Sequence, residues 1–121
     1  MSDFKHSIAY VRFLSLLDAI RGEADFPAID ATERLLLERL ASLWHAGQTV
    51  TVLRIMNDET LGLSPSTVHR RLKSLRSLGM IALDIDLHDH RTKYVVPTPK
   101  TQQYFDRLGR CMAESGLQPS A

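Results

Sequence analysis

The feature that most constrains this chain is a change of period at Gly79. Upstream of it, Ser64 stands at a helix N-cap position, Pro65 at the first helical position, where its missing N–H costs nothing, and Gly79 just past the end. Val68, Leu72 and Leu75 recur between them at helical spacing, which predicts a helix over 65–78 with those three side chains inward. Downstream, Ile81, Leu83, Ile85 and Leu87 alternate with Ala82, Asp84, Asp86 and His88, the period of two that marks a half-buried strand. A polar tip, His88-Asp89-His90-Arg91-Thr92, leads into the β-prone run Lys93-Tyr94-Val95-Val96, so the two strands predict a hairpin.

The flanking elements are helical. Apolar residues at Phe4, Ile8, Val11, Leu14, Leu17 and Ile20 predict a first helix, with Gly22 as its C′ stop. Phe13 and Leu16 widen that stripe beyond one small core contact, which predicts packing against a second subunit. A connector over 22–29 contains Pro27. Asp30, followed three residues on by Glu33, has the form of a capping box, and a second helix through Leu35, Leu36, Leu37, Leu40, Leu43 and Trp44 stops near Gly47. Thr49 and Val50 predict a very short strand, Thr51 caps a third helix over Val52, Leu53, Ile55 and Met56, and Gly62 marks a turn over 61–63. Thr98 and Pro99 repeat the cap-plus-proline device and begin a last helix with Tyr104 or Phe105, Leu108 and Cys111/Met112 on its buried side. Gly116 ends it, and residues 117–121 are expected to fray.

Two short helices joined by a turn, the second followed at once by a hairpin, is the order of a winged helix-turn-helix: mainly α with a small β-hairpin wing. At 100° per residue, inward Val68, Leu72 and Leu75 leave Ser66, Arg70, Lys73 and Ser77 on the outside of the fourth helix, flanked by Thr67, His69 and Ser74. Four Lys/Arg and no Asp or Glu lie over 64–79. Arg and Lys can bond guanine O6 and N7, and Ser and Thr can bond bases or phosphates, so this face suits the major groove of DNA. The net charge of +1 speaks against a protein that coats nucleic acid indiscriminately, but it conceals an asymmetry. Residues 1–60 hold six Lys/Arg and nine Asp/Glu, a net of −3, whereas residues 61–121 hold nine and five, a net of +4.

With those residues in place, Ser66-Thr67-Val68-His69-Arg70, Leu75 with Gly79-Met80-Ile81, Asp89-His90-Arg91 and Thr98-Pro99-Lys100, the chain resembles the MarR family of bacterial transcription regulators. The likeness is strongest over 47–108. It implies a single domain over 1–121: dimerisation helices at about 3–22 and 99–115, interleaved with those of a second chain, around a DNA-binding core at about 30–97. The expected partner is double-stranded DNA with a pseudo-palindromic operator, bound by a homodimer, most simply a repressor. The resemblance carries Ser66, Thr67, His69, Arg70 and Lys73 to the major groove, and the 87–93 wing, with Asp89, His90, Arg91 and Lys93, to the minor groove, Arg91 being held by Asp89. Phe4, Ile8, Val11, Leu108 and Met112 are the candidate dimer contacts. A small-molecule effector is left open and no cofactor is implied. Three departures stand out: Arg54 three residues after Thr51, a longer stretch between Met56 and Leu61, and Val96-Pro97 and Thr101 around Thr98-Pro99-Lys100.

Other chemistries find little support. Asp84 and Asp86 share a strand face, but alternate strand residues are ordinarily a solvent face, and no Gly-rich phosphate loop, nucleophile motif or H-E-x-x-H accompanies them, so an enzyme is not expected. His88 and His90, two apart on a hairpin tip, do not close a metal site without further ligands. Cys111, the one cysteine, excludes an internal disulfide and reads as a packing residue, as does Trp44. The sequence shows no bilayer-length apolar run and no secretory signal pattern, which predicts a cytoplasmic protein. The rival reading is a winged-helix module for protein contacts, or a plasmid- or phage-type DNA-associated factor without a regulatory ligand. Asp84 and Asp86, carboxylates on the wing strand, favour protein contact.

Overall fold

A computed structural model describes residues 4–116, with Lys5 described by its backbone alone. The start of the first helix expected at residue 3 and the fraying expected over 117–121 lie outside the described residues. The elements are α1 (Lys5–Arg21), α2 (Ala31–His45), α3 (Val52–Met56), a 3₁₀ turn (Glu59–Leu61), α4 (Pro65–Ser77), β1 (Ile81–Ile85), β2 (Lys93–Pro97) and α5 (Pro99–Gly116). The chain divides into two compact units, residues 29–101 and residues 1–28 with 102–121.

In the first unit, local capping sets most boundaries. The Asp30 carboxylate accepts from the Glu33 N–H at 2.7 Å and the Glu33 carboxylate from the Asp30 N–H at 2.9 Å, closing the expected capping box of α2. The Thr51 hydroxyl accepts from Arg54 N–H and begins α3. Ser64 and Pro65 begin α4. At its end Gly79 lies at φ +76°, with Gly79 N–H bonded to Arg76 O and Met80 N–H to Leu75 O, the double bond of a Schellman stop. The core is Leu36, Leu37, Leu40 and Leu43 of α2, Ile55 of α3, and Val68, Leu72 and Leu75 of α4, closed by Val50, Leu61, Met80, Ile81 and Val95. Leu35 of the apolar α2 run is exposed.

The hairpin is antiparallel, with Ile81 opposite Pro97 and Ile85 opposite Lys93. The strand expected at Thr49-Val50 is replaced by a single bridge from Thr51 to Tyr94, next to a bond from Val95 N–H to Val50 O. Two residues before a helix cap leave no room for more pairing. Trp44, half-buried, donates its indole N–H to Val95 O at 3.0 Å, so α2 also fixes β2. The alternation expected along 81–87 decays with distance from the body. Ile81 is buried and Leu83 half-buried, but Ile85 and Leu87 are exposed. The period of two forms the strand, yet past Leu83 no layer covers it.

The sequence missed the anchor of the turn between α3 and α4. Asp58 is buried, and its carboxylate accepts from Arg39 Nε and Arg54 Nη1, each at 2.8 Å, and from the Thr60 N–H and hydroxyl. Burial alone would raise the Asp58 carboxyl, but the Thr60 hydroxyl and the two guanidiniums outweigh it and hold the acid well below the ordinary carboxylate range. The longer stretch between Met56 and Leu61 is thus a 3₁₀ turn built on one carboxylate. Arg54, which departs from the family's pattern, is one of its two cationic partners.

In the second unit α1 presents two apolar sides. Leu17 is buried and Phe13, Leu16 and Ile20 are half-buried, a set at helical spacing, while Phe4, Ile8, Tyr10 and Val11 are exposed. Gly22 ends α1 at φ −79°, so the expected left-handed stop is absent. The connector is held to α5 by Arg107, which reaches Glu23 at 2.8 Å and lies over the Phe26 ring at 5.0 Å. The Phe26 ring in turn meets Tyr104 at 5.4 Å between centroids. On α5, Tyr104, Cys111 and Ser115 are buried and Leu108 half-buried. Met112, grouped with Cys111 on the buried side in the sequence, is exposed, because the two lie 100° apart and the inward arc follows Cys111.

Candidate nucleic-acid interface

The outer face of α4 is as the helical period requires. Ser66, His69, Arg70, Lys73 and Ser77 are exposed, and no carboxylate stands on the helix. Thr67, placed on the flank, is half-buried, and its hydroxyl accepts from the Ser64 hydroxyl at 2.8 Å while its N–H bonds Ser64 Oγ. Thr67 therefore closes the helix cap as well as edging the face. Arg71 turns the other way, and its Nη1 reaches Asp30 at 3.0 Å. Of the four cations over 64–79, Arg70, Lys73 and Arg76 are left exposed, and Arg71 ties α4 to the start of α2.

The wing tip is ordered by two carboxylates. Asp86 accepts from His88 N–H at 3.0 Å, from Asp89 N–H at 2.8 Å and from the Tyr94 hydroxyl at 2.9 Å. Asp89 accepts from Arg91 N–H at 3.1 Å and from the Thr92 hydroxyl at 3.1 Å. The Asp89 and Tyr94 bonds draw the Asp86 carboxyl down, and the Arg91 N–H and Thr92 bonds draw the Asp89 carboxyl down. Tyr94 responds in the opposite sense, raised by its bond to Asp86. Sequence reasoning read Asp86 as a residue of the solvent face. The available signal was an acid two and three residues before backbone N–H groups of a polar tip, the Asx pattern.

Arg91 projects from this frame with its side chain 94% exposed, and its Nε meets Asp89 only at 3.4 Å. His90 and Lys93 are exposed beside it. Between tip and helix runs an open groove of about 960 Å³. Ser66 and His69 of α4 line it together with Arg91, Thr92 and Lys93 of the wing, and with Leu53 and Met56 of α3 and its cap Thr51. The structure thus brings Ser66 and His69 together with Arg91 and Lys93 around one groove. Arg70 and Lys73 continue the α4 face outside its lining.

Among the described residues no group of three His, Cys, Asp or Glu side chains is placed to hold a metal ion, and no helix is long and apolar enough to cross a membrane.

By sequence, the chain matches no family model and no curated protein. By structure, it is similar to the S. aureus MepR–DNA complex at a TM-score of 0.66 and 17% identity, covering 93% of this chain and 78% of that one. The transcriptional regulator Tm0710 from Thermotoga maritima gives 0.61 and 17%, over 89% and 67%. Reduced AbfR bound to DNA gives 0.55 and 20%, over 89% and 68%. The element order, the two-stranded wing and these superpositions together give the chain the winged helix-turn-helix fold.

Proposed function

We propose that the chain is a MarR-type transcription regulator that binds duplex DNA site-specifically as a homodimer, in the cytoplasm, without catalysing a reaction. The observation that carries this is the acid-free outer face of α4 sharing a groove with an exposed arginine on an ordered wing. Ser66, His69, Arg70 and Lys73 enter the major groove, with Thr67 at the edge. Arg91 reaches the adjacent minor groove, its backbone placed by Asp89, while His90 and Lys93 face phosphate. The sugar-phosphate strand between the two grooves follows the channel between α4 and the wing. The solved structures of S. aureus MepR and of AbfR with DNA support a DNA-binding use of this fold.

The dimer reading draws on α1 and α5. Phe4, Ile8 and Val11 are exposed, Met112 is 62% exposed, and Leu108 is half-buried. An apolar set of this kind is ordinarily covered by another protein surface. A dimer presents two copies of α4 and so reads an inverted repeat with half-sites about one helical turn apart.

Exposed Leu53, Ile85 and Leu87, apolar side chains on α3 and the wing, favour a second reading, a winged-helix module for protein contacts. Competition separates the two. Duplexes enriched by the protein from a random pool should hold it against a large excess of unrelated DNA. Equal displacement by any duplex, with steep salt dependence, would remove the regulator reading and leave the second.

A further inference from the structure

Where α4 ends, three consecutive backbone carbonyls are each taken by a side chain from the start of α5. Lys100 Nζ donates to Leu78 O at 2.6 Å, the Thr98 hydroxyl donates to Gly79 O at 2.6 Å, and the Thr101 hydroxyl donates to Met80 O. Thr98 also accepts from Thr101 N–H at 3.2 Å, so the same side chain caps α5. The Lys100 stem crosses Gly79, with Cδ 3.7 Å from where a Cβ would stand. Thr101 is fully buried, as is Met80.

The Schellman stop already supplies two bonds at the end of α4 and needs no help from α5 to end the helix. The three further bonds act on the exit turn, the segment that joins α4 to β1. Their donors differ in character: a buried hydroxyl, a capping hydroxyl and a cation at the negative end of the helix dipole. A single contact would leave the turn free to pivot about it, whereas three contacts on three successive peptide units fix its direction. Together with the core packing of Val68, Leu72 and Leu75, that direction sets the angle between α4 and β1, and with it where Arg70 and Lys73 stand relative to the wing. Major-groove readout depends on that angle, because bidentate contacts tolerate little displacement.

We infer that Lys100 and Thr101, with Thr98, are positioning residues for DNA recognition: a three-point latch that holds the recognition helix at its reading angle without touching DNA. The inference rests on the DNA-reading function proposed above. It assigns Lys100 a role other than phosphate contact, and it makes the side chain of Thr101, one of the departures from the family's pattern, part of the reading apparatus.

The test uses the full chain and four variants. Lys100→Met keeps the stem and removes the donor, Lys100→Arg retains a donor, Thr101→Val removes the hydroxyl at constant shape, and Thr101→Ser restores it. Binding to an enriched duplex and to unrelated duplex is titrated across a range of salt. The latch predicts that Lys100→Met and Thr101→Val each lower affinity for the enriched site by about tenfold with little change on unrelated DNA. Their salt slopes stay as in the parent, and Lys100→Arg and Thr101→Ser recover most of the loss. A salt slope reduced by about one in Lys100→Met, with equal losses on every duplex, would make Lys100 a phosphate contact and overturn its part. Unchanged discrimination in Thr101→Val would overturn the role of Thr101. Amide exchange on the free protein supplies an arm that needs no DNA: faster exchange confined to Gly79, Met80 and Ile81, whose N–H groups belong to the three latched peptide units, in the two loss variants supports the latch, and uniform acceleration overturns it. If the parent enriches no duplex, the DNA-reading function fails while the exchange arm still decides the latch.

Discussion

Around Asp58, two guanidiniums and a hydroxyl surround a carboxylate that the solvent hardly reaches, so its ionisation is linked to folding. Its folded pKa lies below its unfolded value near 3.9, so the stabilisation is fully present above about pH 4 and is lost as the pH falls toward the folded value. Urea midpoints measured downward from about pH 5 should fall steeply for the parent and shallowly for Asp58→Asn, which has no such proton to take up. Asp58→Ala should cost roughly 3 kcal/mol at neutral pH, the lower end of the range for breaking a buried pair because both arginines reach solvent. Parallel acid limbs in parent and Asp58→Asn would contradict this. Arg70 and Arg71 are neighbours in sequence and opposites in role. Arg70→Ala should lose ~1–3 kcal/mol of site preference. Arg71→Ala should lower thermal stability by loosening α4 from Asp30, with base preference unchanged. The distinction was legible from helical angle alone, since Arg71 lies on the Val68 and Leu75 side. Asp58 was not legible, because one of its partners stands 19 residues away.

Helices and turns were read well where their signals are local. The Asp30 capping box, the Thr51 cap and the Ser64-Pro65 start all stand where the residues placed them, because a cap is satisfied within three residues of itself. Faces were read less well. The period of α1 and of β1 declares amphipathicity but not what each side meets, so on α1 Leu17 is buried and Phe13, Leu16 and Ile20 half-buried while Phe4, Ile8, Val11 and Leu14 are exposed, and the outer half of β1 stands clear of the core. The wing tip is ordered by bonds that the alternation did not announce, those accepted by Asp86 and Asp89. Asp86→Ala should therefore accelerate amide exchange at His88 and Asp89 and weaken binding to the enriched duplex, with the melting temperature nearly unchanged. Unchanged exchange at both amides would show that the tip does not depend on Asp86.

At the scale of the whole chain, the charge asymmetry and the exposed apolar set divide along the sequence. The net positive half carries the candidate reading helix and wing, while the net negative half carries α1 with Phe4, Ile8 and Val11 in solvent. Sedimentation should find the parent as a dimer at micromolar concentration and the variant with Ile8→Glu and Val11→Glu as a monomer with its fold retained. A monomeric parent would remove the two-half-site arrangement. The core of the unit over residues 29–101 and the order of its elements were legible in the sequence because both follow from short-range patterns. The exit-turn latch and the Asp58 cluster were not, because each joins groups far apart in the chain. The central claim, that the outer face of α4 reads sequence, is tested most directly by comparing the duplexes that the parent and Arg70→Ala enrich from the same random pool. The account predicts an inverted repeat for the parent, with half-sites about one helical turn apart, and the same repeat relaxed at one position in each half-site for the variant. No enriched repeat for the parent, or identical repeats for both proteins, would contradict it.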